Sequence, residues 1–369
     1  MDHTDQIRIL HVVTYMGRGG LETMLMNYYR HIDRSKVQFD FLVHRAFRAD
    51  YDDEIESLGG RIFRLPRLVP WSRRYLKELE QFFRNHPEYK VIHVHQDCLS
   101  SVILKAAKKC GVPVRIAHSH NSNQDKNLKY LIKLVYKKQI PSYATHLFSC
   151  GKDAGDWMFG GAPYQMMNNA IDTQQYRFDA DLRLRIRKDL AIDAETFVVG
   201  HVGRFHPQKN HKFLIDIFSK VKALHDNAVL LLVGDGDLRT DVEKQIMVLG
   251  ISDSVIFAGV RSDVPALMQA MDCFVFPSLY EGLSIATIEA QTSGLPCIFS
   301  DGVPTECVKT DFVKRLPLLA GATVWAEEIL KTRFVSRQDT SGQIIKAGYD
   351  INTNAAWLQG FYLEQWKDA

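Results

Sequence analysis

The sequence predicts an α/β protein built from two doubly wound parallel sheets. Short apolar segments alternate with amphipathic ones from Ile7 onward, which is typical of parallel strands joined by helices. The alternation stops at a polar stretch, residues 172–196, and starts again at Phe197. The length of 369 residues is also that of two domains rather than one.

The composition excludes several classes of protein. Apolar residues make up 46% of the chain and charged residues 24%, and the formal net charge of +3 is too small to indicate a nucleic-acid partner. No apolar run of about 18 residues is present, and the N-terminus has no apolar signal region, so we expect a cytoplasmic protein. The six cysteines include no Cys-x-x-Cys pair, which favours reduced thiols and gives no support for a metal site.

The first strand, residues 7–13, runs into a glycine-containing segment, residues 14–20, and then into a helix from about Leu21 to His31. Gly19 and Gly20 allow the backbone to approach a ligand closely, and the helix N-terminus favours phosphate there. The segment lacks both the Gly-x-Gly-x-x-Gly and the P-loop patterns, so the alternative is an ordinary tight turn.

Histidines follow two strand-like segments of the first half. His93 and His95 lie in the segment 91–95, and His118 ends the segment 114–118, with His120 two residues further on. Ligands of parallel sheets bind beyond the carboxyl ends of the strands. We interpret the first pair as packing residues and the second pair as candidates for a binding site.

Lysines recur at helical spacing over residues 126–138, where Lys126, Lys129, Lys133 and Lys137 accompany apolar residues. This pattern predicts an amphipathic basic helix. Its lysine face either is simply solvated or binds an anionic membrane surface or a lipid-diphosphate acceptor.

The second half begins with a strand, residues 197–202, that is followed by Gly203-Arg204-Phe-His-Pro-Gln-Lys209-Asn210. Two cations at the carboxyl end of a strand can hold a diphosphate and stabilise the charge that develops as it departs. Further on, Asp235-Gly-Asp237 follows another strand and precedes a helix, so we predict a turn with an N-cap there rather than a metal site.

Residues 276–295 predict a strand, a loop and a helix N-terminus. The free amides of such a helix end attract anions. Glu281 and Glu289 lie on either side of it, separated by eight residues, which is about 12 Å of helical rise. Ionised carboxylates accept hydrogen bonds from sugar hydroxyls, so one elongated ligand can be held at both ends.

The segment from Glu281 to Glu289 resembles the donor-sugar motif of retaining glycosyltransferases of family four, which have the GT-B fold. Residues 203–210 closely resemble the phosphate clamp of that family, and residues 164–172 partly resemble its Pro-Asn-Gly-Ile-Asp segment. The resemblance implies two Rossmann-like domains facing a cleft. The two domains are an acceptor-binding domain, residues 1–172, and a nucleotide-sugar domain, residues 173–351. A C-terminal helix, residues 352–369, is expected to cross back to the first domain.

The resemblance also implies the roles of particular residues. His118 is expected near the reacting carbon, with His120 as the alternative, while Arg204 and Lys209 hold the diphosphate and Glu281 holds the sugar hydroxyls. Glu289 is expected to bind the ribose, and backbone near Val260 to contact the base. The full expected donor-binding set is Gly19, Gly20, Arg204, Lys209, Val260, Arg261, Glu281, Gly282, Leu283, Ser284 and Glu289.

The implied activity is transfer of a sugar, with retained configuration, from a nucleotide-sugar donor, favoured to be a UDP-sugar. The implied acceptor is a sugar or a lipid-linked glycan of bacterial exopolysaccharide or capsule synthesis, at the inner face of the cell membrane. No cofactor and no metal are expected. The alternatives are a phosphorylase or epimerase of the same fold and a non-catalytic module that binds nucleotide sugars or membranes.

Overall fold

The computed structural model describes residues 6–121 and 130–369. The chain forms two compact units. The first unit comprises Met1–Ala170 and Ile351–Ala369, and the second comprises Ile171–Asp350. Lys126 and Lys129 of the predicted basic helix lie outside the described residues.

The first unit contains a seven-stranded sheet in the order β3-β2-β1-β4-β5-β6-β7, with parallel pairing throughout. Up to residue 170 its elements are β1 Ile7–Val13, α1 Gly20–His31, β2 Val37–Val43, α2 Asp52–Ser57, β3 Ile62–Arg64, α3 Arg73–Asn85, β4 Val91–Val94, α4 Ser100–Lys109, β5 Val114–Ser119, α5 Tyr130–Tyr143, β6 His146–Ser149, α6 Lys152–Phe159 and β7 Gln165–Met166.

The second unit contains a six-stranded parallel sheet in the order β10-β9-β8-β11-β12-β13. Its elements are α7 Thr173–Tyr176, α8 Ala180–Asp189, β8 Phe197–Val202, α9 His211–Leu224, β9 Ala228–Val233, α10 Arg239–Val248, β10 Val255–Gly259, α11 Val264–Ala270, β11 Cys273–Phe276, α12 Ile285–Thr292, β12 Cys297–Ser300, β13 Val313–Leu316, α13 Gly321–Lys331 and α14 Ser341–Lys346.

The central strands of both sheets are apolar on both faces. Every residue of β2 and of β11 is buried, as expected for strands covered by helices on either side. The helices bury one face only. In α3, for example, Tyr75, Leu79 and Phe82 recur at helical spacing and face the core, and the side chain of Ser72 caps the first turn.

The chain order reverses once in each sheet. In the first unit, β1 lies between β2 and β4, and in the second unit, β8 lies between β9 and β11. At such a reversal the connections leave to opposite sides and a crevice opens at the carboxyl ends of the strands. The glycine segment after β1 and the Arg204–Lys209 segment after β8 lie at these two positions.

The last helix, α15 Ile351–Lys367, belongs to the first unit. It packs against α1, β1, β2 and β4. Tyr362 is completely buried, and its ring meets His93 and Phe39 edge-on. The helix therefore covers part of one face of the first sheet, over β1, β2 and β4.

The prediction of an N-cap at Asp235-Gly-Asp237 is wrong. Helix α10 begins at Arg239, Leu238 is the N-cap residue, and no side chain caps the first turn. Asp235 instead accepts a hydrogen bond from the adjacent Gly236 amide at 2.7 Å. The two aspartates thus lie in the turn before the helix and not at its start.

Helix α5 forms over Tyr130–Tyr143, so it continues beyond the predicted limit at residue 138. Leu131, Ile132 and Val135 on this helix are exposed, by 73%, 42% and 58% respectively. Among the described residues, no helix is long and apolar enough to cross a membrane.

Candidate functional site

Two loops meet at the carboxyl edge of the second sheet. One loop follows β8 and the other follows β11, and these strands are neighbours at the point where the chain order reverses. The Leu279 amide donates a hydrogen bond to the Gln208 carbonyl at 2.8 Å, and the Asn210 side chain donates to the Pro277 carbonyl at 3.1 Å. These bonds fix the two predicted motifs against each other.

Lys209 and Glu281 form a close ion pair between the two loops. Lys209 Nζ lies 2.7 Å from Glu281 Oε1, and the two side chains are only 17% and 5% exposed. The ammonium group also lies 4.6 Å from the centre of the Phe276 ring, within the range of a cation–π interaction. The structure thus brings two sequence-predicted site residues into direct contact.

Gln208 is a second side-chain partner of Glu281. Its side-chain amide donates to Glu281 Oε2 at 3.3 Å and to the Tyr280 carbonyl at 3.0 Å. Both carboxylate oxygens are therefore occupied, as a buried charge requires. Sequence reasoning missed Gln208, because an amide between two motif residues carries no signal until its partner is known.

Arg204 lies in the same loop as Lys209, but its guanidinium is open to solvent. It is 62% exposed, and its ion pair with Asp237 is 3.5 Å long and exposed on both sides. An exposed pair of this kind contributes little to stability. Arg204 therefore retains the rotational freedom to turn toward an anion.

Gly234 lets the loops after β8 and β9 run side by side. A Cβ atom at this position would lie 2.2 Å from the Gly203 carbonyl oxygen, and the φ of +129° also disfavours any other residue. Close by, the Phe205 amide donates to the Asp235 carbonyl at 2.9 Å. The path of the Arg204 loop thus depends on a glycine outside the predicted motif.

The N-terminus of α12 follows the β11 loop directly. Ser284 is the N-cap residue and makes no side-chain cap, so its hydroxyl does not satisfy the first amides of the helix. The Thr287 hydroxyl donates to the Ser284 carbonyl at 2.6 Å and fixes the first turn. Gly282 and Leu283 connect this end to Glu281, so backbone donors lie next to the ion pair.

Glu289 is buried inside α12. The hydroxyl of Tyr176, which belongs to α7, donates to Glu289 Oε1 at 2.5 Å. Burial raises the pKa of Glu289 to about 7, although the Tyr176 hydrogen bond acts in the opposite direction. Sequence reasoning missed Tyr176, which is 113 residues away in the chain.

Val260 and Arg261 follow β10, the edge strand of the second sheet. Val260 is 53% exposed, and the Arg261 guanidinium is held by Asp263 at 2.6 Å and 2.7 Å. This segment is separate from the two loops that carry Lys209 and Glu281, which follow β8 and β11. A contact from this segment to a ligand would have to come from the backbone or from a rearranged Arg261.

In the first unit, Gly19 and Gly20 begin α1. Gly19 is the N-cap residue, and a Cβ atom there would lie 2.3 Å from a carboxylate oxygen of Glu22. Burial raises the pKa of Glu22 to about 7. The glycine segment therefore contains an acid that the sequence pattern did not single out.

His118 belongs to a chain of hydrogen-bonded side chains in the first unit. Its Nδ1 lies 3.2 Å from Nε2 of His93, and Nδ1 of His93 lies 2.7 Å from the Tyr362 hydroxyl of α15. Burial, followed by the neighbouring histidines, lowers the pKa of His118 well below its ordinary value. His118 is therefore a neutral imidazole near pH 7.

A second chain runs beside the first. Nδ1 of His95 lies 2.9 Å from Nε2 of His120, and Nε2 of His95 lies 3.2 Å from Nδ1 of His11. Burial lowers the pKa of His120 and of His11 to about 3. The interpretation of His93 and His95 as packing residues describes their burial, but it missed their contacts with the candidate pair His118 and His120.

The structure thus brings some of the predicted residues together and leaves others apart. Lys209 and Glu281 are in contact, and the N-terminus of α12 adjoins them. Glu289 lies within the same helix, whereas Arg204 lies beside Asp237 and the 260–261 segment follows another strand. Gly19, Gly20, His118 and His120 belong to the other unit.

Comparison with known families places the chain among the glycosyltransferases. Residues 183–315 match the family described as "Glycosyl transferases group 1", and residues 19–163 match "Glycosyl transferase 4-like domain". EpsF of Bacillus subtilis (strain 168), which is named as a glycosyltransferase, is 36% identical over 98% of this chain and 97% of its own length. The chain therefore belongs to this glycosyltransferase family and is an enzyme of that class.

Two further comparisons concern the substrates of relatives and the fold. An Escherichia coli "UDP-Gal:alpha-D-GlcNAc-diphosphoundecaprenol alpha-1,3-galactosyltransferase" is 28% identical over 61% of each chain. The crystal structure of Anabaena Alr3699/HepE with UDP and glucose superimposes with a TM-score of 0.77, at 19% identity, over 97% of this chain and 99% of that one. The two Rossmann-like sheets are therefore those of the GT-B fold, as predicted.

Proposed function

We propose that this glycosyltransferase moves a sugar from a UDP-sugar to a hydroxyl of a lipid-linked glycan, with retention of configuration, in the synthesis of a surface polysaccharide. The observation that supports this most directly is the Lys209–Glu281 pair beside the N-terminus of α12. One cation, one carboxylate and a row of amides are the groups needed to hold a sugar diphosphate.

Donor binding in this proposal rearranges the ion pair. The diphosphate takes Lys209 as a partner and draws Arg204 from its weak contact with Asp237. The freed oxygen of Glu281 then accepts hydrogen bonds from sugar hydroxyls, while Gln208 keeps the other oxygen in place. As the glycosidic bond breaks, both cations stabilise the charge that develops on the departing diphosphate.

Glu289 is proposed to bind the ribose, and Tyr176 sets the conformation of its carboxyl group. The carboxyl is buried and reaches one partner, the Tyr176 hydroxyl, at 2.5 Å. A ribose with two hydroxyls supplies donors to the carboxylate and compensates the burial of its charge. In this proposal, Glu281 binds the sugar on one side of the diphosphate and Glu289 binds the ribose on the other.

The choice of UDP and of a lipid-linked acceptor follows the relatives. The name of the Escherichia coli relative specifies a UDP-sugar donor and a diphosphoundecaprenol acceptor, and the Anabaena structure holds UDP and glucose. His118, a neutral imidazole with an unpartnered Nε2 among the described residues, is proposed to contact the donor sugar near its reacting carbon.

A transfer assay tests the proposal. Purified protein is supplied with a panel of UDP-sugars and a diphosphoundecaprenol-linked acceptor, and the anomeric configuration of the product is read by NMR. Lys209→Met should lower kcat by about a hundredfold or more, since a cation that stabilises developing charge is lost. Lys212→Met, which removes an exposed lysine from the adjoining helix, is the matched control and should leave transfer unchanged.

Two results would contradict the proposal. Transfer that is equally fast in Lys209→Met and Lys212→Met would show that the pair does not hold the donor. Tight binding of UDP-sugars without turnover on any acceptor would favour the non-catalytic module instead.

We also propose that α5 attaches the enzyme to an anionic membrane surface. Leu131, Ile132 and Val135 form an exposed apolar patch, and the helix contains lysines but no acidic residue. Lys137 is held by the Trp157 carbonyl and ring, which leaves Lys138 as an exposed cation of the patch. A surface of this kind would bring the active site near lipid-linked acceptors.

Vesicle flotation tests the attachment. The protein should float with vesicles containing anionic phosphatidylglycerol and much less with neutral phosphatidylcholine vesicles, because both the apolar and the cationic groups contribute. Leu131→Ser/Val135→Ser should remain at the bottom of the gradient, whereas Leu224→Ser, an exposed leucine of the second unit, should float as before. Equal flotation with anionic and neutral vesicles would contradict the proposal.

A further inference from the structure

We propose that His95, His118 and His120 form a binding site for a divalent transition-metal ion such as Zn²⁺ or Co²⁺. These residues come from the carboxyl ends of β4 and β5, which are paired in the first sheet. Each can offer one ring nitrogen such that the three nitrogens lie within 4.8 Å of one another. The site contains no residue of the second unit, although His118 is also proposed above to contact the donor sugar.

The spacing of the nitrogens suits such an ion. Two imidazole nitrogens bound to tetrahedral Zn²⁺ at about 2.0–2.1 Å are separated by about 3.3 Å. Nδ1 of His95 and Nε2 of His120 lie 2.9 Å apart, and the rings of His118 and His120 have centroids 4.1 Å apart. The pair therefore has to open by only a few tenths of an ångström, while its shared proton shifts to the other ring nitrogen of His120 or leaves.

An unused nitrogen points to a missing partner. His118 is 2% exposed, and its Nε2 is buried with no hydrogen-bond partner among the residues that the structure describes. A buried polar atom without a partner is uncommon and unfavourable. A metal ion held by this nitrogen and by the His95–His120 pair would provide the partner.

The ring nitrogens of His118 and His95 that would not bind the ion already have hydrogen-bond partners, as is usual for metal-bound histidines. With the ion on Nε2, His118 Nδ1–H donates to His93, which in turn donates to the Tyr362 hydroxyl. With the ion on Nδ1, His95 Nε2–H donates to His11. Such hydrogen bonds fix the tautomer and the ring orientation of the ligands.

A second trio, His11, His93 and His95, also has nitrogens close enough to share an ion. All three of these side chains are buried, and both nitrogens of His93 already have partners. In the first trio, His120 is only half-buried, so an ion can reach it from solvent. The geometry therefore favours the trio that ends at His120.

Three neutral imidazoles without a carboxylate select the kind of ion. Zn²⁺, Co²⁺, Ni²⁺ and Cu²⁺ accept such ligands, whereas Mg²⁺ and Ca²⁺ prefer oxygen. Three protein ligands also leave one coordination position open.

One consequence rests on the proposed function. If His118 Nε2 contacts the donor sugar, an ion on that nitrogen excludes the contact, and Zn²⁺ should inhibit transfer until a chelator is added. Metal binding without inhibition would count against the donor contact of His118 but not against the metal site. The two failures are thus distinguishable.

The site itself is tested on the full-length protein after treatment with chelator. Titration with Co²⁺ should produce the visible absorption of a low-symmetry cobalt–imidazole site, saturating at one ion per chain. His118→Asn and His120→Asn should each weaken binding by at least about tenfold, the scale on which metal sites respond to lost partners. His86→Asn, which removes a histidine that pairs with Glu88 before the start of β4, should bind Co²⁺ as before.

X-ray absorption of the Zn²⁺-loaded, unsubstituted protein provides a measurement that does not depend on whether the variants fold. Three imidazole ligands are expected. Fewer than three, or Co²⁺ binding that survives in correctly folded His118→Asn and His120→Asn, would overturn the proposal.

Discussion

Lys209 and Glu281 show how a single buried ion pair can prepare a site for a charged ligand. Each side chain has little access to water, so each needs the other while no ligand is bound. A sugar diphosphate offers a replacement for both partners, an anion for the lysine and hydroxyl donors for the carboxylate. The ammonium and carboxylate groups that would bind the ligand therefore neutralise each other while the site is empty.

A double-mutant cycle should detect this mutual dependence. Lys209→Met removes the cation that lies 2.7 Å from the buried Glu281 carboxylate, so we expect it to lower the free energy of unfolding by about 1–3 kcal/mol. Glu281→Gln on the same background should cost much less than it does alone, since the uncompensated charge is then removed. Urea unfolding of the four proteins measures the coupling, and additive effects within about 0.5 kcal/mol would argue against the pair.

The carboxyl of Glu289 links stability to pH. Its pKa is raised by burial from an ordinary value of 4.5 to about 7, so the folded state holds a proton that the unfolded state releases between these values. The contribution of this group to stability is therefore greatest below pH 4.5, falls as the pH rises toward 7, and levels off above it.

Glu289→Gln should remove that dependence. Relative to the variant, the natural protein should lose stability between pH 5 and pH 8, by no more than roughly 3 kcal/mol. The comparison cancels the titration of other groups, including Glu22, whose pKa is also raised to about 7. Urea unfolding at both pH values is the measurement, and a constant difference between the two proteins would show that Glu289 is ionised throughout.

At the scale of elements, the site depends on how closely two loops can approach. Gly234 has no Cβ, and this permits the contact with the Gly203 carbonyl that directs the Arg204 loop. Gly250, at the end of α10, also has a positive φ, of +66°, but has open space around it. Substitution of Gly250 therefore tests backbone strain alone, whereas substitution of Gly234 tests strain together with steric exclusion.

Gly234→Ala should weaken UDP-sugar binding as well as stability, because the loop after β8 must move. Gly250→Ala should cost only about 1 kcal/mol of stability, the cost of a non-glycine residue in the left-handed region, and should leave UDP-sugar affinity unchanged. Isothermal titration with a UDP-sugar and thermal unfolding distinguish these effects. Equal affinities in the two variants would contradict the steric role of Gly234.

The elements themselves could be predicted because burial imposes patterns on a local stretch of sequence. Strands covered on both faces must be apolar throughout, and helices such as α3 must repeat apolar residues every three or four positions. The same locality made the loop motifs recognisable. The N-cap at Asp235-Gly-Asp237 was misassigned because an aspartate shortly before a helix fits the N-cap pattern, whereas Leu238 occupies the N-cap position.

Partners that lie far apart in sequence could not be predicted in this way. Tyr176 reaches Glu289 across 113 residues, and Tyr362 reaches His93 across 269. No periodicity connects such residues, and only the order of strands and the return of the last helix bring them together. The sequence therefore predicted the motifs of the candidate site, but it did not predict the distant side chains that orient them.

At the scale of the whole molecule, the two units manage charge differently. In the proposed function, Lys209 and Arg204 of the second unit offset the charge of the diphosphate without a metal ion, whereas the first unit contains a group of neutral imidazoles. We therefore expect sugar transfer to persist in excess EDTA without added Mg²⁺ or Mn²⁺. Initial rates with and without chelator give the answer, and loss of activity that Mg²⁺ restores would show that the cations do not suffice.

The return of α15 to the first sheet has a consequence for biosynthesis. A ribosome completes all of the second unit before it makes residues 351–367, which cover the face of the first sheet. Until then, the partners of Tyr362 around His93 and Phe39 lack their cover and present an apolar surface to the cell. The nascent chain should thus depend on chaperones until residues 351–367 have been made, although the second sheet could already have folded.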